Sequence, residues 1–281
     1  MKTVAVTGAA GKAGRAVVAD LLAHGYDVLA SDLNAPSEPP GCSFLRADLT
    51  DYGQAVEALA GADAVVHLAN IPADGLYPPA VTINRNTAMN SNVFLAAAHL
   101  KLHRVAWASS ETTLGLPFDV DPLFAPIDEA HFPHPTSTYA LSKVLGEQTA
   151  HHVCEWSGIP FVGLRLSNIF SGADYARVPG FQHHAELRRW NLWGYVDVRD
   201  VAQAFRLALE ADTHGSQNFI IAAADTIMER PSADLMAEVF PRVRITRELR
   251  GNETLLEIGA AADILGYRPE HSWRDNLPND Y

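Results

Sequence analysis

The sequence predicts an α/β protein in which a doubly wound parallel sheet carries a small C-terminal lobe. Three observations predict it. Short apolar or β-branched segments alternate with longer helical patterns along most of the 281 residues, as in successive βαβ units. The first of these segments runs directly into a glycine-rich turn. The composition, with 48% hydrophobic and 19% charged residues, is that of a globular chain with a large buried core.

The alternation predicts the elements in order. The predicted strands are Lys2–Thr7, Tyr26–Ser31, Ser43–Arg46, Ala64–Leu68, Arg104–Ala108, Phe161–Leu166 and Asn218–Ala222. The predicted helices are Lys12–Ala23, Asp51–Leu59, Pro78–Leu100, Thr138–Trp156 and Val201–Leu209. The pattern becomes irregular after residue 170, so we expect a core over residues 1–170 and a smaller lobe over residues 171–281 that is interleaved with it.

Charge and composition exclude several classes of protein. The 33 acidic and 21 basic residues give a net charge of −12, which predicts no general attraction to nucleic acid or anionic lipid. No apolar run approaches the ~20 residues that cross a bilayer, so we expect no membrane partner. The first residues carry no secretory pattern, and Cys42 and Cys154 lack the spacing of a metal site. The sequence therefore predicts a cytoplasmic protein.

The glycine-rich turn predicts a dinucleotide site. Gly8, Gly11 and Gly14 follow the first strand and open the first helix, with Lys12 and Ala13 between them. Glycines in this context allow a tight turn, close approach of backbone N–H groups to a pyrophosphate, and close packing of the helix on the sheet. The sequence therefore predicts a Rossmann-type core in residues 1–170, with a substrate-binding lobe after it.

The second strand indicates which dinucleotide binds. It ends at Asp32, where a carboxylate accepts hydrogen bonds from the adenine ribose and repels a 2′-phosphate. This favours NAD as the cofactor. Lys12 and Arg15 keep NADP open as an alternative, because a cation near the turn can hold the extra phosphate.

Two further strand ends extend the predicted cofactor site along the same edge of the sheet. Because ligands bind at the carboxyl ends of the strands in such sheets, we expect contacts from the residues that follow the third and fourth strands. These residues are Asp48, Leu49, Leu68, Ala69 and Asn70. His67 is interpreted as a core histidine, and Asp51 with Gln54 as a helix cap.

A tyrosine and a lysine four residues apart predict the acid–base chemistry. Tyr139 and Lys143 lie on one face of the predicted helix. A phenol titrates near pH ~10, and an ammonium about 4 Å away stabilises its anion by roughly 4 kcal/mol at an effective dielectric constant near 20. We therefore expect Lys143 to lower the pKa of Tyr139 toward neutrality. Ser109 and Ser110 end the fifth strand and face this helix.

Several motifs in the same order resemble the extended short-chain dehydrogenase/reductases, the NAD-dependent epimerase/dehydratase group. The motifs are TGxxGxxG at Gly8–Gly14, Asp32, Asp48-Leu49, His67-Leu68-Ala69, Ser109-Ser110 with Gly115, Tyr139-x-x-x-Lys143, Arg165-x-x-Asn168, Tyr195–Val201 and Leu265-Gly266-Tyr267-x-Pro269. The resemblance implies that Tyr139 is the general acid/base, that Lys143 also binds the nicotinamide ribose, and that Ser110 is the third catalytic residue. It also places Asn86 near the active site.

Short uronate dehydrogenases provide the nearest resemblance within the group, and they imply a sugar or sugar acid as substrate. In that comparison Ser110, Glu111 and Asn168 lie at the substrate, and Arg177 is twelve residues beyond Arg165, where it would clamp a carboxylate. The expected reaction is hydride transfer from a sugar hydroxyl carbon to NAD.

The departures from the group narrow the chemistry without removing every alternative. The Asp-Glu pair of sugar dehydratases is missing after Ser110, and Trp193 stands where nucleotide-sugar epimerases usually carry an arginine. Arg247 or Arg250 keeps a nucleotide-sugar 4-epimerase open, with tightly bound NAD. A third alternative is an NAD(H) sensor without catalysis. The presence of Ser110, Tyr139 and Lys143 together argues against a sensor, which has no need of acid–base residues.

The two long helices resemble the pair through which members of the group dimerise. We expect a homodimer with Val93, Phe94 and Leu145 at the seam, although packing of these residues on the sheet is an equal alternative. The pairs His151-His152 and His183-His184 are adjacent residues, which point to opposite sides of a helix or strand. We therefore predict no metal site.

Overall fold

The computed structural model describes residues 1–118 and 120–276. In this part of the chain the strands are β1 (Thr3–Thr7), β2 (Asp27–Asp32), β3 (Ser43–Arg46), β4 (Ala64–His67), β5 (Arg104–Ser110), β6 (Phe124–Ala125), β7 (Phe161–Leu166), β8 (Ile169–Phe170), β9 (Val196–Asp197), β10 (Ser216–Ile221) and β11 (Arg244–Ile245). The α-helices are α1 (Lys12–Ala23), α2 (Tyr52–Leu59), α3 (Pro79–Leu100), α4 (Thr138–Ser157), α5 (Val198–Glu210) and α6 (Ser232–Val239).

Seven strands form one parallel sheet in the order β10-β7-β5-β4-β1-β2-β3. Every residue of β4 and β7 is buried, as expected for strands covered by helices on both faces. Helices α1 and α5 pack on one face of the sheet, and α2, α3 and α4 pack on the other. The predicted doubly wound fold is confirmed.

The chain changes direction in the sheet at β1. Strand β1 pairs with β2 on one side and with β4 on the other. The connections therefore leave a crevice at the carboxyl ends of β1 and β4. Ligands bind at this kind of switch point in open α/β sheets. The order of the strands therefore fixes where a site must lie.

Local signals set the ends of the helices. The side chain of Asp51 accepts a hydrogen bond from the Gln54 backbone N–H and caps α2, as predicted. Ser137 caps α4 in the same way, and Gly158 ends that helix in the left-handed conformation with φ +72°. Strand β5 reaches Ser110, two residues beyond the predicted end, because Ser109 and Ser110 continue its pairing with β7.

A second apolar cluster packs beside the sheet, under the cleft. It joins residues from the middle of the chain, such as Leu114 and Ile127, to Trp193, Leu255 and Trp273 from the last third. Helix α5 and strand β10 also follow residue 170, yet they pack on α1 and pair with β7 in the main sheet. The division into two domains at residue 170 stays a prediction.

One detail of α3 decides between the two alternatives that the sequence left open for Val93 and Phe94. Val93 and Phe94 are fully buried against the sheet, where Phe94 contacts Trp107 and Phe161 edge to face. They cannot form a dimer seam, whereas Leu145 on α4 is 38% exposed.

None of the helices within residues 1–118 and 120–276 combines the length and the apolar character that crossing a bilayer requires.

Candidate active site

A cleft of about 1230 Å³ opens at the carboxyl ends of the sheet strands. Its volume exceeds that of a typical drug-sized pocket, which suits a dinucleotide together with a small substrate. Most of the residues predicted to form the site line this cleft. They are Gly8, Gly11, Lys12, Ala13, Gly14, Asp32, Asp48, Leu49, Leu68, Ala69, Asn70, Ser110, Glu111, Tyr139, Lys143 and Asn168.

The glycine-rich turn is packed so closely that side chains are excluded. A Cβ on Gly8 would lie 2.6 Å from the backbone nitrogen of Ala69, and one on Gly14 would lie 2.1 Å from the carbonyl oxygen of Gly8. Gly11 begins α1 without a capping side chain, so the first N–H groups of the helix are left for an anion. This cradle fits the pyrophosphate of a dinucleotide, which would lie on the turn.

The acidic residues of the predicted ribose and adenine region are held in place by backbone groups. Asp32 accepts hydrogen bonds from the N–H groups of Ala10 at 3.0 Å and Asn34 at 3.1 Å. Asp48 accepts bonds from Thr50, which hold the pKa of its carboxyl below the ordinary value, and lies 3.5 Å from Arg85. Asp48 therefore remains an ionised acceptor at neutral pH.

The two cations that kept NADP open are engaged elsewhere. Lys12 forms an ion pair with Asp174 at 2.6 Å and donates to the carbonyl of Ile169 at 3.3 Å. Arg15 donates to the carbonyl of Ala10 at 2.7 Å. Asp32 is thus the charged side chain that faces the predicted ribose position, which agrees with NAD.

Tyr139 and Lys143 lie one turn apart on α4, and the Lys143 Nζ is 5.6 Å from the centroid of the Tyr139 ring. The Ser110 side chain lies close enough to Tyr139 to act on the pKa of its phenol. The Ser110 hydroxyl also accepts bonds from the backbone N–H and the hydroxyl of Thr112, at 3.2 and 2.9 Å. The structure therefore brings the three predicted catalytic residues together.

The electrostatics of this group differ from the expectation. Burial raises the pKa of Tyr139 to about 12, although the neighbouring Ser110 side chain lowers it, and the charge of Glu111 raises it further. Burial also lowers the pKa of Lys143 to about 7, against an opposing effect of Glu147. The predicted lowering of the Tyr139 pKa by Lys143 was wrong for the free protein, because desolvation by burial is the largest effect on this phenol.

A chain of hydrogen bonds fixes the Lys143 amine. Its Nζ donates to Asn70 Oδ1 and to the carbonyl of Ala108, both at 2.7 Å. Asn70 donates to Asn90, which lies 3.0 Å from His67, and the other nitrogen of His67 lies 2.7 Å from the Thr7 hydroxyl. Burial lowers the pKa of His67 to about 3, so this histidine is a neutral link, in agreement with its interpretation as a core residue.

Sequence reasoning missed Glu147, one turn beyond Lys143 on α4. Its carboxylate is buried and accepts two bonds at 2.9 Å from Arg165 and one at 2.6 Å from Ser109. Residues 139, 143 and 147 recur at helical spacing, and that stripe was the signal that could have identified it. The ion pair of Glu147 with Arg165 fixes α4 to β7, and the bond from Ser109 fixes it to β5, next to the catalytic residues.

A second buried polar network lies on the other side of Ser110. Glu111 accepts bonds from the Ser167 hydroxyl at 2.6 Å and from the Asn191 amide at 3.4 Å. Arg188, whose charge also acts on Glu111, donates to Asn168 Oδ1 at 3.1 Å and to the carbonyl of Gly194 at 2.9 Å. Burial raises the pKa of Glu111 to about 7, although these partners lower it.

A strained turn holds this network in place. Leu192 and Trp193 have φ values of 52° and 57°, which cost non-glycine residues of order 1 kcal/mol each. Both side chains are fully buried, and the Trp193 indole donates to the carbonyl of Ala185 at 2.7 Å. A Cβ on Gly194 would lie 2.6 Å from Leu256. Burial of the two large side chains stabilises the turn that positions Arg188.

Two of the predicted site residues do not line the cleft. Asn86 is fully buried in α3, where it bonds the backbone of Ile71 and the hydroxyl of Ser142. Arg177 is exposed in the short helical turn 172–181, with its guanidinium 5.9 Å from the ring of Phe181. The predicted carboxylate clamp therefore lies outside the cavity, because this turn carries Arg177 on its outer side.

Adjacent histidines on α4 also differ from the prediction. The rings of His151 and His152 lie 5.0 Å apart, so they do not point to opposite sides of the helix. Together with Glu155 they place three potential metal-ligand atoms within 4.8 Å of one another, and all three residues are exposed. This surface group lies outside the cleft and takes no part in its chemistry.

The fold and the cleft define a dinucleotide-binding α/β enzyme that carries a Ser-Tyr-Lys set. The family model of the NAD dependent epimerase/dehydratase family matches residues 4–222. The chain belongs to this family, and it is an NAD-dependent enzyme.

Curated relatives of the chain include both epimerases and dehydrogenases. A UDP-glucose 4-epimerase from Lacticaseibacillus casei is 25% identical over 332 aligned positions, which cover 99% of this chain and 98% of that protein. An L-arabinose 1-dehydrogenase (NAD(P)(+)) from Haloferax volcanii is 28% identical over 75% of this chain and 84% of its own length.

Solved structures share the fold over almost the whole chain. A short-chain dehydrogenase/reductase superfamily protein from Agrobacterium tumefaciens with bound NAD has a TM-score of 0.75 at 22% identity and covers 98% of this chain and 94% of its own. A mutated uronate dehydrogenase has a TM-score of 0.71 at 21% identity and covers 98% and 84%. These similarities establish the fold, and the reaction must be argued from the cleft.

Proposed function

We propose that this protein is a dehydrogenase that oxidises a hydroxyl group of a small sugar or sugar acid with NAD⁺. The observation that carries the proposal is Trp193, which is fully buried and bonded to Ala185 at the position where a nucleotide-sugar epimerase is expected to hold a diphosphate. Arg247, one of the two arginines that keep that contact open, is engaged by Glu253 and Glu257 at 2.8 Å, and Arg250 does not line the cleft. Neither Trp193 nor Arg247 lines the cleft.

The side chains of the cleft assign the proton transfer. Ser110 binds the substrate hydroxyl, and Tyr139 beside it takes the proton as general base, in the phenolate form that the positive charge of bound NAD⁺ would favour. NAD⁺, when bound, would supply the acceptor for the hydride of the carbon that bears this hydroxyl. The C–H and O–H bonds break, a carbonyl group forms, and the proton passes from Tyr139 to solvent. Lys143 holds the ribose of the cofactor, with its amine fixed by Asn70.

A nucleotide-sugar 4-epimerase is the second candidate, because the L. casei epimerase aligns with nearly the whole chain. The two candidates differ in their redox balance. A dehydrogenase forms one NADH for each sugar oxidised, whereas an epimerase returns the hydride and forms none.

The experiment incubates purified protein with NAD⁺ and a panel of aldoses and uronic acids, and follows NADH absorbance. We expect stoichiometric NADH with at least one of them, and a fall in kcat of about 10²-fold or more in Tyr139→Phe, the typical contribution of a positioned acid/base. Tyr52→Phe is the matched control, since Tyr52 is 43% exposed on α2. Interconversion of UDP-glucose and UDP-galactose without net NADH would overturn the proposal.

We also infer that the enzyme is a homodimer that pairs through α3 and α4. Leu95 on α3, together with Leu141 and Leu145 on α4, is 37–41% exposed, and one turn separates the two α4 residues. The double variant Leu141→Glu, Leu145→Glu should sediment as a monomer in analytical ultracentrifugation. Leu187→Glu, at a leucine 51% exposed outside these helices, should leave the dimer intact, and a monomeric wild-type protein would contradict the inference.

A further inference from the structure

We propose that Glu111 determines substrate specificity, by accepting a hydrogen bond from a hydroxyl group of an uncharged sugar and by excluding sugar acids and sugar phosphates. This inference rests on the proposed dehydrogenase and names the substrate class of the same cleft. It replaces the anionic substrate that Arg177 implied.

The position of Glu111 places its carboxyl group at the substrate. It follows Ser110 directly, lines the cleft while remaining only 3% exposed, and its charge acts on Tyr139. Its two oxygens accept one side-chain bond each, from Ser167 and Asn191. A carboxylate has about four acceptor positions, so Glu111, which lines the cleft, keeps at least one of them for a ligand.

Asn168 supplies the complementary donor. An arginine can only donate, so the bond from Arg188 at 3.1 Å fixes Oδ1 of Asn168 toward the guanidinium. The NH₂ group is then what this cleft-lining residue offers to a ligand. A fixed acceptor at Glu111 and a fixed donor at Asn168 together match sugar hydroxyl groups, each of which both donates and accepts.

Arg188 supports the pair from outside the cleft. Its guanidinium lies 4.8 Å from the ring of Trp190, which forms part of the cleft wall, and both of its terminal nitrogens donate to protein oxygens. The side chain is 5% exposed and does not line the cleft. Arg188 is therefore a positioning residue, and it is not available to clamp an anion of the substrate.

The remaining charges in the described lining oppose an anionic substrate. Its three basic residues are engaged: Lys12 with Asp174, Arg85 with Asp48, and Lys143 with Asn70. The acidic residues Asp74 and Glu111 line the cleft as well. A substrate carboxylate about 5 Å from Glu111 would meet a like charge once this carboxyl, whose pKa is about 7, is ionised, which predicts a preference for neutral sugars of roughly 30-fold or more at higher pH.

The test compares galactose with galacturonate and glucose with glucuronate and glucose 6-phosphate, pairs that differ only in the charged group. For each, kcat/KM with NAD⁺ is measured in wild type, Glu111→Gln and Ser167→Ala. We expect wild type to favour the neutral sugar by about 30-fold or more, and the ratio to fall at least tenfold in Glu111→Gln. Glu186→Gln, at an exposed residue paired with Arg189, is the matched control and should keep the wild-type ratio.

Two further arms keep the test decisive. Ser167→Ala keeps the Glu111 carboxyl group but removes the 2.6 Å bond that lowers its pKa, so it should raise KM for neutral sugars, while acids stay excluded at a pH where this carboxyl is ionised. Calorimetric titration of the sugars into protein saturated with NADH measures selectivity without turnover. Selective binding of neutral sugars without NADH formation would support this inference while the proposed dehydrogenase fails. Preference of wild type for an acid or phosphate, or an unchanged ratio in Glu111→Gln, would overturn it.

Discussion

Burial decides the acid–base properties of Tyr139 and Lys143. Spacing along the chain correctly indicated that the two residues share a helix face, but a Coulomb argument alone predicted the wrong direction for the phenol. The Lys143 amine is buried and bonded to Asn70 and Ala108, and Tyr139 is half-buried at the wall of the cleft. Burial therefore raises the pKa of Tyr139 and lowers the pKa of Lys143, and both shifts favour the neutral form of the side chain.

The depressed pKa of Lys143 has a measurable effect on stability. Folding lowers this pKa from the ordinary 10.5 to about 7. Between these values the unfolded chain holds a proton that the folded chain has lost, so stability rises with pH. The burial of the charged amine destabilises the folded protein fully below pH ~7, and this destabilisation vanishes above pH ~10.5. Lys143→Met removes it, so the stability advantage of the variant should shrink by up to about 1.4 kcal/mol per pH unit across this window.

Urea unfolding of both proteins between pH 6.5 and 9.5 checks this prediction. Lys101→Met, at an exposed lysine on the C-cap of α3, should differ from wild type by the same amount at every pH. A pH-independent difference for Lys143→Met would mean that the amine keeps its proton when buried.

The substrate residues show why the chemistry near Ser110 was harder to predict than the cofactor site. Arg177 was chosen for its distance along the chain from Arg165, yet the short helical turn directs it away from the cleft. Arg188 and Asn191 are brought to Glu111 only by the left-handed turn at Leu192 and Trp193, and residue type gives no local signal for such a turn.

The turn between β1 and α1 was predictable because its requirements are local. Only glycine fits at Gly14, since a Cβ there would lie 2.1 Å from the Gly8 carbonyl oxygen and 2.7 Å from Ala9 Cα. The boundaries of α2 followed from Asp51 for the same reason. The buried pair of Glu147 and Arg165 was missed because it joins α4 to β7, and a contact of that kind depends on packing.

The close packing at Gly14 predicts the effect of a single methyl group. Gly14→Ala must move α1 away from the turn, which should cost about 1–3 kcal/mol of stability and weaken NADH binding by at least roughly tenfold, because the N–H groups of the cradle move with the helix. Fluorescence titration with NADH and urea unfolding measure the two effects. Gly180→Ala is the matched control, because a methyl group at Gly180 would point into open space, with no atom beyond its chain neighbours within 4 Å. Equal NADH affinity in the two variants would contradict the account.

Across the whole chain, the order of the strands turns these local features into one site. The reversal at β1 brings the glycine turn, Asp32 and the ends of β4 and β5 to one edge of the sheet. This arrangement could be predicted because the alternation of strands and helices allows few topologies. Packing of the cluster around Trp193 against the cleft depends on contacts between distant segments, and the alternation does not encode it.

The most direct test of the proposed dehydrogenase follows the hydrogen itself. A neutral aldose that the enzyme uses, labelled with deuterium at the oxidised carbon, is incubated with NAD⁺, and mass spectrometry is applied to the cofactor and the sugar. The account predicts one deuterated NADH for each oxidised sugar, with the label lost from the sugar. A sugar inverted at the labelled carbon that retains its deuterium, with no NADH released, would contradict it.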